Sequence, residues 1–261
     1  MREFLDDAHE HREDGYGRAQ AHVKQQLAKR FYKEVGTKAV EGGFAVTLDG
    51  KSPRTPGMKP VVAPKQAIAE AMAAEWAAQE EFIDPRTMPL VRLVNSAVET
   101  GEGSRGELGD EIAKYAGNDL LLYRAEGPES LVRRQEHLWD DVLVKLGRYF
   151  GVAFQSTIGI VHQVQPIVTA DRLRAALAQE SLFVLTALNA VTSLSGSGLL
   201  ALALRHGLAS PDQVWTAAHV DEDHNIERWG EVEEIVERRG KRRREFDAAV
   251  RLLAMMETSE T

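Results

Sequence analysis

The 261-residue chain has no cysteine. That removes disulfides, thiolate metal sites and a cysteine nucleophile together, and leaves His, Asp and Glu as metal ligands; it also fits a reducing compartment. Positive charge is in deficit as well: 32 Lys and Arg stand against 40 Asp and Glu, a formal charge of −8. A surface built throughout for nucleic acid or anionic lipid needs the opposite sign, so basic or apolar partners fit better. The start of the chain, MREFLDDAHEHRED, lacks the apolar core of a signal peptide and is too acidic for an organelle transit peptide. The expectation is a bacterial protein of the cytoplasm, or a chain already processed.

Long apolar runs are also scarce, with one exception. Residues 181–204, SLFVLTALNAVTSLSGSGLLALAL, carry no charge and are long enough to span a bilayer. The central TSLSGSG, with two glycines and several hydroxyls, divides the run into two short helices, and Asn189 would go unpaired in lipid. A buried helical hairpin fits better than membrane insertion.

What is present divides the chain unevenly. Residues 1–30 form a charged tail that settles into a helix, RAQAHVKQQLAKRF. Residues 31–86 are rich in glycine, proline and β-branched side chains, with Asp49-Gly50 as a hairpin turn and Pro56-Gly57 as a second turn. A helix follows from Pro64, with Ile68, Met72 and Trp76 at spacings of four. The DGKS at 49–52 imitates the end of a phosphate-binding loop, but Ala45 stands where that loop needs glycine.

Asp84-Pro85 and Met88-Pro89 mark the boundary. Beyond it, residues 87–261 read as helices near 90–100, 105–117 and 128–150, an extended interlude FGVAFQSTIGIVHQVQPIV, and helices near 170–193, 197–206, 211–239 and 241–256. The expected fold class is α+β: a small β-rich N-terminal domain with one or two helices, followed by a larger all-α C-terminal domain.

Chemistry concentrates in residues 219–234, HVDEDHNIERWGEVEE. Asp221 and His224, at i and i+3, have the carboxylate-histidine spacing of di-metal helical bundles. A bundle site needs a second such pair, and the positions three before His137 and His206 hold Arg134 and Ala203. General acid/base chemistry has carboxylates in plenty here, yet no nucleophile in a recognisable setting. Serines 193, 195 and 197 lie in a small-residue break rather than a nucleophile elbow, and GSG follows no strand. The basic run RRGKRRR at 238–244 completes a helix that begins acidic and ends basic, as its dipole favours, with Gly240 as a stop or kink. Metal site, acid/base pair and docking surface remain three possible uses of one helix.

Several polar residues accompany aromatic ones at positions expected to be buried: Glu75 and Gln79 with Trp76, Asp119 with Tyr115, Gln135 with Trp139, and Glu227 with Trp229. Such acids and amides can satisfy buried indole N–H groups, or the tryptophans can anchor a partner in a groove.

Read in order, EWAAQ at 75–79, MPL at 88–90, KYAGNDLLLYRA at 114–125, RRQEHLWD at 133–140, SGSGLLALAL at 195–204 and DEDHNIERWGE at 221–231 resemble a known family. It is the ATP-twelve family of assembly chaperones for F-type ATP synthase, and the resemblance runs from about Arg30 to about Arg251. It implies a non-enzymatic chaperone without cofactor or metal that binds the unassembled alpha subunit and releases it when the beta subunit takes its place. It implies the same two-part fold, a location in the bacterial cytoplasm or, for eukaryotic relatives, the mitochondrial matrix, and a monomer. By position, the family's critical acids fall on Glu222 and Glu227, with Asp221 and Trp229 as neighbours in client binding. Val232 stands where an acid is common, so not every carboxylate here acts on the client. Five residues apart, Glu222 and Glu227 lie about 140° apart on a helix, so one is expected to face the client while the other braces the fold.

Overall fold

The computed structural model describes residues 27–257; most of the tail and helix expected over 1–30 lies outside them. Tyr32 enters the core, donates its hydroxyl to the Trp76 carbonyl at 2.7 Å and meets the Trp76 ring edge-on. Next, β1 (Val35–Val40) and β2 (Gly43–Leu48) form an antiparallel hairpin with Val40 opposite Gly43. The hairpin turn therefore falls at Glu41-Gly42. Asp49-Gly50 makes the following tight turn, with both backbone hydrogen bonds between Leu48 and Lys51 and positive φ at both residues. Backbone N–H groups of Glu34 and Lys33 donate to the Asp49 carboxylate and hold its pKa below the usual range. Pro56-Gly57 turns as expected, closed by Met58 N–H to the Thr55 carbonyl. Gly43 is required where residue 63 crosses the hairpin, because a Cβ there would stand 2.2 Å from the Ala63 carbonyl oxygen.

Helix α1 (Gln66–Ala77) covers the hairpin with Ile68, Ala69, Ala71 and Met72. A single turn at Pro85–Thr87 leads into α2 (Pro89–Thr100). The Glu75 carboxylate joins the two parts by accepting from Leu90 N–H at 3.0 Å and Val91 N–H at 2.8 Å, satisfying first-turn donors of α2. Burial raises the Glu75 pKa, and these two bonds oppose the rise. Gln79, also buried, accepts from Asp84 N–H and donates to Thr87 Oγ1.

The larger part is helical: α3 (Arg105–Gly117), the short β3 (Tyr123–Arg124), α4 (Glu129–Gln135), α5 (Asp141–Phe150), the short β4 (Thr157–Ile158), α6 (Ile167–Ala178), α7 (Leu182–Ser195), α8 (Gly198–Arg205), α9 (Pro211–Ala218), α10 (Val220–Trp229) and α11 (Glu233–Glu257). The small strand region and mostly helical remainder match the expected α+β architecture. Buried residues of both parts form one continuous apolar cluster, from Tyr32 to Leu253.

Three expected helices divide differently. The rod at 128–150 is continuous but passes through a π turn at Glu136–Asp140 that carries buried Trp139. The helix expected over 170–193 breaks at 179–181, where Ser181 caps α7 through Val184 N–H. The helix expected over 211–239 breaks at His219 and again after Trp229, where Gly230 has φ 87°. Gly240, expected to stop or kink the chain, lies inside α11. An interior glycine costs only about 1 kcal/mol relative to alanine, less than the packing of the helix supplies.

The uncharged run 181–204 is the expected hairpin. Gly196, with φ 72°, ends α7, and the Ser197 hydroxyl caps α8 through Leu200 N–H. Beneath the turn lies Asp119, wholly buried, accepting from Ser197 Oγ at 2.7 Å and Leu199 N–H at 2.9 Å. Burial raises its pKa to about 7 against the pull of these hydrogen bonds. Among the described residues, no helix is long and apolar enough to cross a membrane.

Candidate functional site

Helix α10 begins with three acids in its first turn, Asp221, Glu222 and Asp223, which its positive end favours. Val220 and His224 turn into the core, leaving the acids on the outer faces. Each acid has a different environment.

Asp221 Oδ1 accepts from Gln135 Nε2 at 2.8 Å, and Gln135 Oε1 accepts from Ala125 N–H at 2.8 Å, so one amide links α10 to the chain following β3. Asp223 pairs with Arg239 of α11. Both oxygens of Glu227 lie 2.9 Å from Arg134 Nη2, tying α10 to α4; hydrogen bonding to Glu227 raises the Arg134 pKa. Glu222 is engaged by none of these. Its nearest partners are the Arg238 guanidinium, Nη2 at 3.8 Å, and the His219 ring, Nε2 at 3.9 Å, both beyond hydrogen-bond length, and its side chain is 27% exposed. Among the described residues it is the acid of α10 left with only long-range pairs. The Glu227 pair, 58% exposed on the acid side, contributes under about 1 kcal/mol, so such ties set the pose of α10 more than they stabilise it.

His219 is buried with Nδ1 2.7 Å from the Trp215 carbonyl oxygen, so that nitrogen carries the proton and donates. Burial lowers its pKa, keeping the ring neutral. Its Nε2 and that of His224 are buried without hydrogen-bond partners among the described residues. The Asp221-His224 pair considered as metal ligands is split: Asp221 turns outward to Gln135, and His224 inward. No group of three or more His, Asp or Glu able to hold a metal occurs among the described residues.

Trp229 ends the helix 81% exposed, with the Arg228 guanidinium 5.9 Å from its ring centre. Val232 and Val236 continue this exposed apolar ridge into α11. Trp229 therefore departs from the expected buried position: the Gly230 turn takes the chain away before anything covers the indole. Tyr115 is likewise exposed rather than buried beside Asp119. Trp139 is in the core, but its indole N–H donates to the Ala217 carbonyl at 2.8 Å rather than to Gln135, because Gln135 is used by Ala125 and Asp221.

Glu222, Glu227, Asp221 and Trp229 thus share one helix; Gln135 supports it from α4, while Trp139 ties the π turn to α9. Glu75, Trp76 and Gln79 lie at the junction of the two parts, and Asp119 under the α7–α8 turn. Sequence reasoning missed Arg134 and Arg239 as the cations that position α10. The signal was available in the basic pairs at 133–134 and 238–239, opposite in sign to 221–227.

Comparison with known proteins gives a consistent result. The family model described as ATP12 chaperone protein matches residues 29–146. A crystal structure of a putative chaperone from Agrobacterium tumefaciens is 40% identical, covering 92% of this chain and 91% of that one with a TM-score of 0.85. Atp12 from Paracoccus denitrificans is 36% identical over 88% of this chain and 99% of its own, with a TM-score of 0.82. Protein atp12, mitochondrial, of Schizosaccharomyces pombe is 22% identical over 84% of this chain and 80% of its own length. Since the solved relatives share the fold over both the strand region and the helical part, well past the span of the family model, the chain belongs to the ATP12 chaperone family.

Proposed function

We propose that the protein is a chaperone for assembly of the F1 sector of ATP synthase, holding the unassembled alpha subunit and preventing its aggregation until the beta subunit takes its place. It acts as a monomer in the bacterial cytoplasm, without catalysis, cofactor, nucleic acid or membrane insertion. An alpha subunit lacking its neighbour exposes an apolar interface, and masking that interface takes apolar anchors with a charged rim.

The observation that carries the reading is Glu222, held by no hydrogen bond and only by a long ion pair with Arg238, on a helix that ends in exposed Trp229 and whose other acids are fixed by Gln135, Arg239 and Arg134. Glu222 exchanges its long Arg238 pair for a charge-assisted pair with an arginine of the client, and Trp229 supplies the anchor. Glu227 and Asp221 hold the helix in its pose. Light scattering of isolated alpha subunit with the purified protein tests this. Glu222→Lys is expected to weaken protection at least about thirtyfold, as reversal at a desolvated charge pair does, with an unchanged melting temperature; protection at the wild-type level would overturn the assignment.

A further inference from the structure

Residues 149–170 contain no Asp, Glu, Lys or Arg, in a chain that is 28% charged. In this span branched apolar side chains face solvent while two polar ones, Gln165 and Thr169, are buried. Ile158, Ile160, Val161, Val164, Ile167 and Val168 are all exposed, Ile160 to 95%. The polar side chains hold the backbone from within: buried Gln165 accepts from Gln155 N–H at 2.9 Å and donates to the Gln155 carbonyl at 2.8 Å, and Thr169 Oγ1 donates to the Ala153 carbonyl at 2.9 Å. His162 Nδ1 lies 2.9 Å from Tyr123 Oη and 3.0 Å from Asn118 Oδ1. The apolar side chains are therefore displayed on a pinned scaffold.

We propose that this strip is a second client contact, one that takes an uncharged, apolar stretch of the subunit-contact surface of the client; the proposal rests on the chaperone function given above. Six branched side chains at these exposures together present an area on the order of the ~300–600 Å² that is the largest apolar patch on a typical monomer, and approach the ~800 Å² per partner of a standard interface. Natural sheet edges are guarded by charge or proline against pairing with other chains. The edge at β4 carries no charged residue of its own: β4 is paired with β3 alone, and residues 160–162 make no backbone hydrogen bond among the described residues. A second copy is a poor occupant, since each carries −8 and like charge opposes association. Continuity with the first contact favours the client. Beside β4 runs β3, and the next residue, Ala125, is joined through Gln135 to Asp221 of α10.

The test uses the whole chain carrying Ile160→Lys and Val164→Lys, assayed against isolated alpha subunit by light scattering and alone by sedimentation. Expected is a loss of protection of at least about tenfold, with unchanged circular dichroism and a monomeric wild type. Should the lysine pair fail to fold, Ile160→Thr with Val164→Thr is read the same way. Full protection by a folded variant overturns the second contact while leaving the chaperone function standing. A wild-type dimer that the lysines dissociate overturns it in favour of self-association. Failure of the wild type to protect alpha subunit at all overturns both.

Discussion

Two stretches of this chain lack charge, and they end in opposite places. Residues 181–204 form the helical pair α7–α8 at the centre of the core, with Leu185, Leu188, Leu199 and Leu200 essentially inaccessible. Residues 149–170 lie at the surface with Ile158, Ile160, Val161, Val164, Ile167 and Val168 outward. Absence of charge therefore does not decide burial; the backbone does. A helix satisfies its own amides and can be buried whole, whereas the irregular segment around β4 needs Gln165 and Thr169 to satisfy its backbone, and those side chains claim the inner side.

The contrast is broken most severely at Gly198. A Cβ there would sit 2.5 Å from the Ile112 carbonyl and 2.7 Å from Ala116 N, both backbone atoms of α3. Gly198→Ala is expected to destabilise by about 3 kcal/mol, seen as a lower denaturant midpoint; a neutral result would mean that α3 and α8 can separate freely.

Of similar size is the titration of Asp119. Its folded pKa, about 7, lies above its ordinary value of 3.8, so the folded state binds the extra proton. The stability that this proton contributes is fully present below about pH 4 and is lost as pH rises through about 7. The wild-type stability measured against Asp119→Asn should fall across that window by no more than about 1.4 kcal/mol per pH unit, and a flat difference would contradict the burial of this carboxylate. The smallest effect belongs to the exposed run: Val164→Thr should leave stability within about 0.5 kcal/mol of wild type. A larger loss in thermal melting would show that the strip packs as core.

Legibility followed the same physics. Where periodicity and punctuation agreed, as in α2, α3 and the α7–α8 pair, sequence was sufficient, since Pro89 and TSLSGSG act locally. Asp49-Gly50 turns the chain as expected, but the turn that closes the longer β1–β2 ladder, Glu41-Gly42, was missed because its signal is the weaker of the two. The breaks at 219 and 230 were hidden because the polar pattern of 211–239 runs through them. At the site, the acids of α10 could be named in advance, but their separation into tied and unengaged depends on Arg134, Arg239 and Gln135, which are distant in sequence.

The Glu75 contact has a consequence for the order of synthesis. Emerging from a ribosome, the hairpin and α1 precede Leu90 and Val91, and until those amides arrive a carboxylate placed for burial lacks these two donors. The N-terminal unit is thus left incomplete by its own sequence, and its last hydrogen bonds form only when α2 docks. What reads along the chain as two successive units is, in folding, one unit that waits for the other.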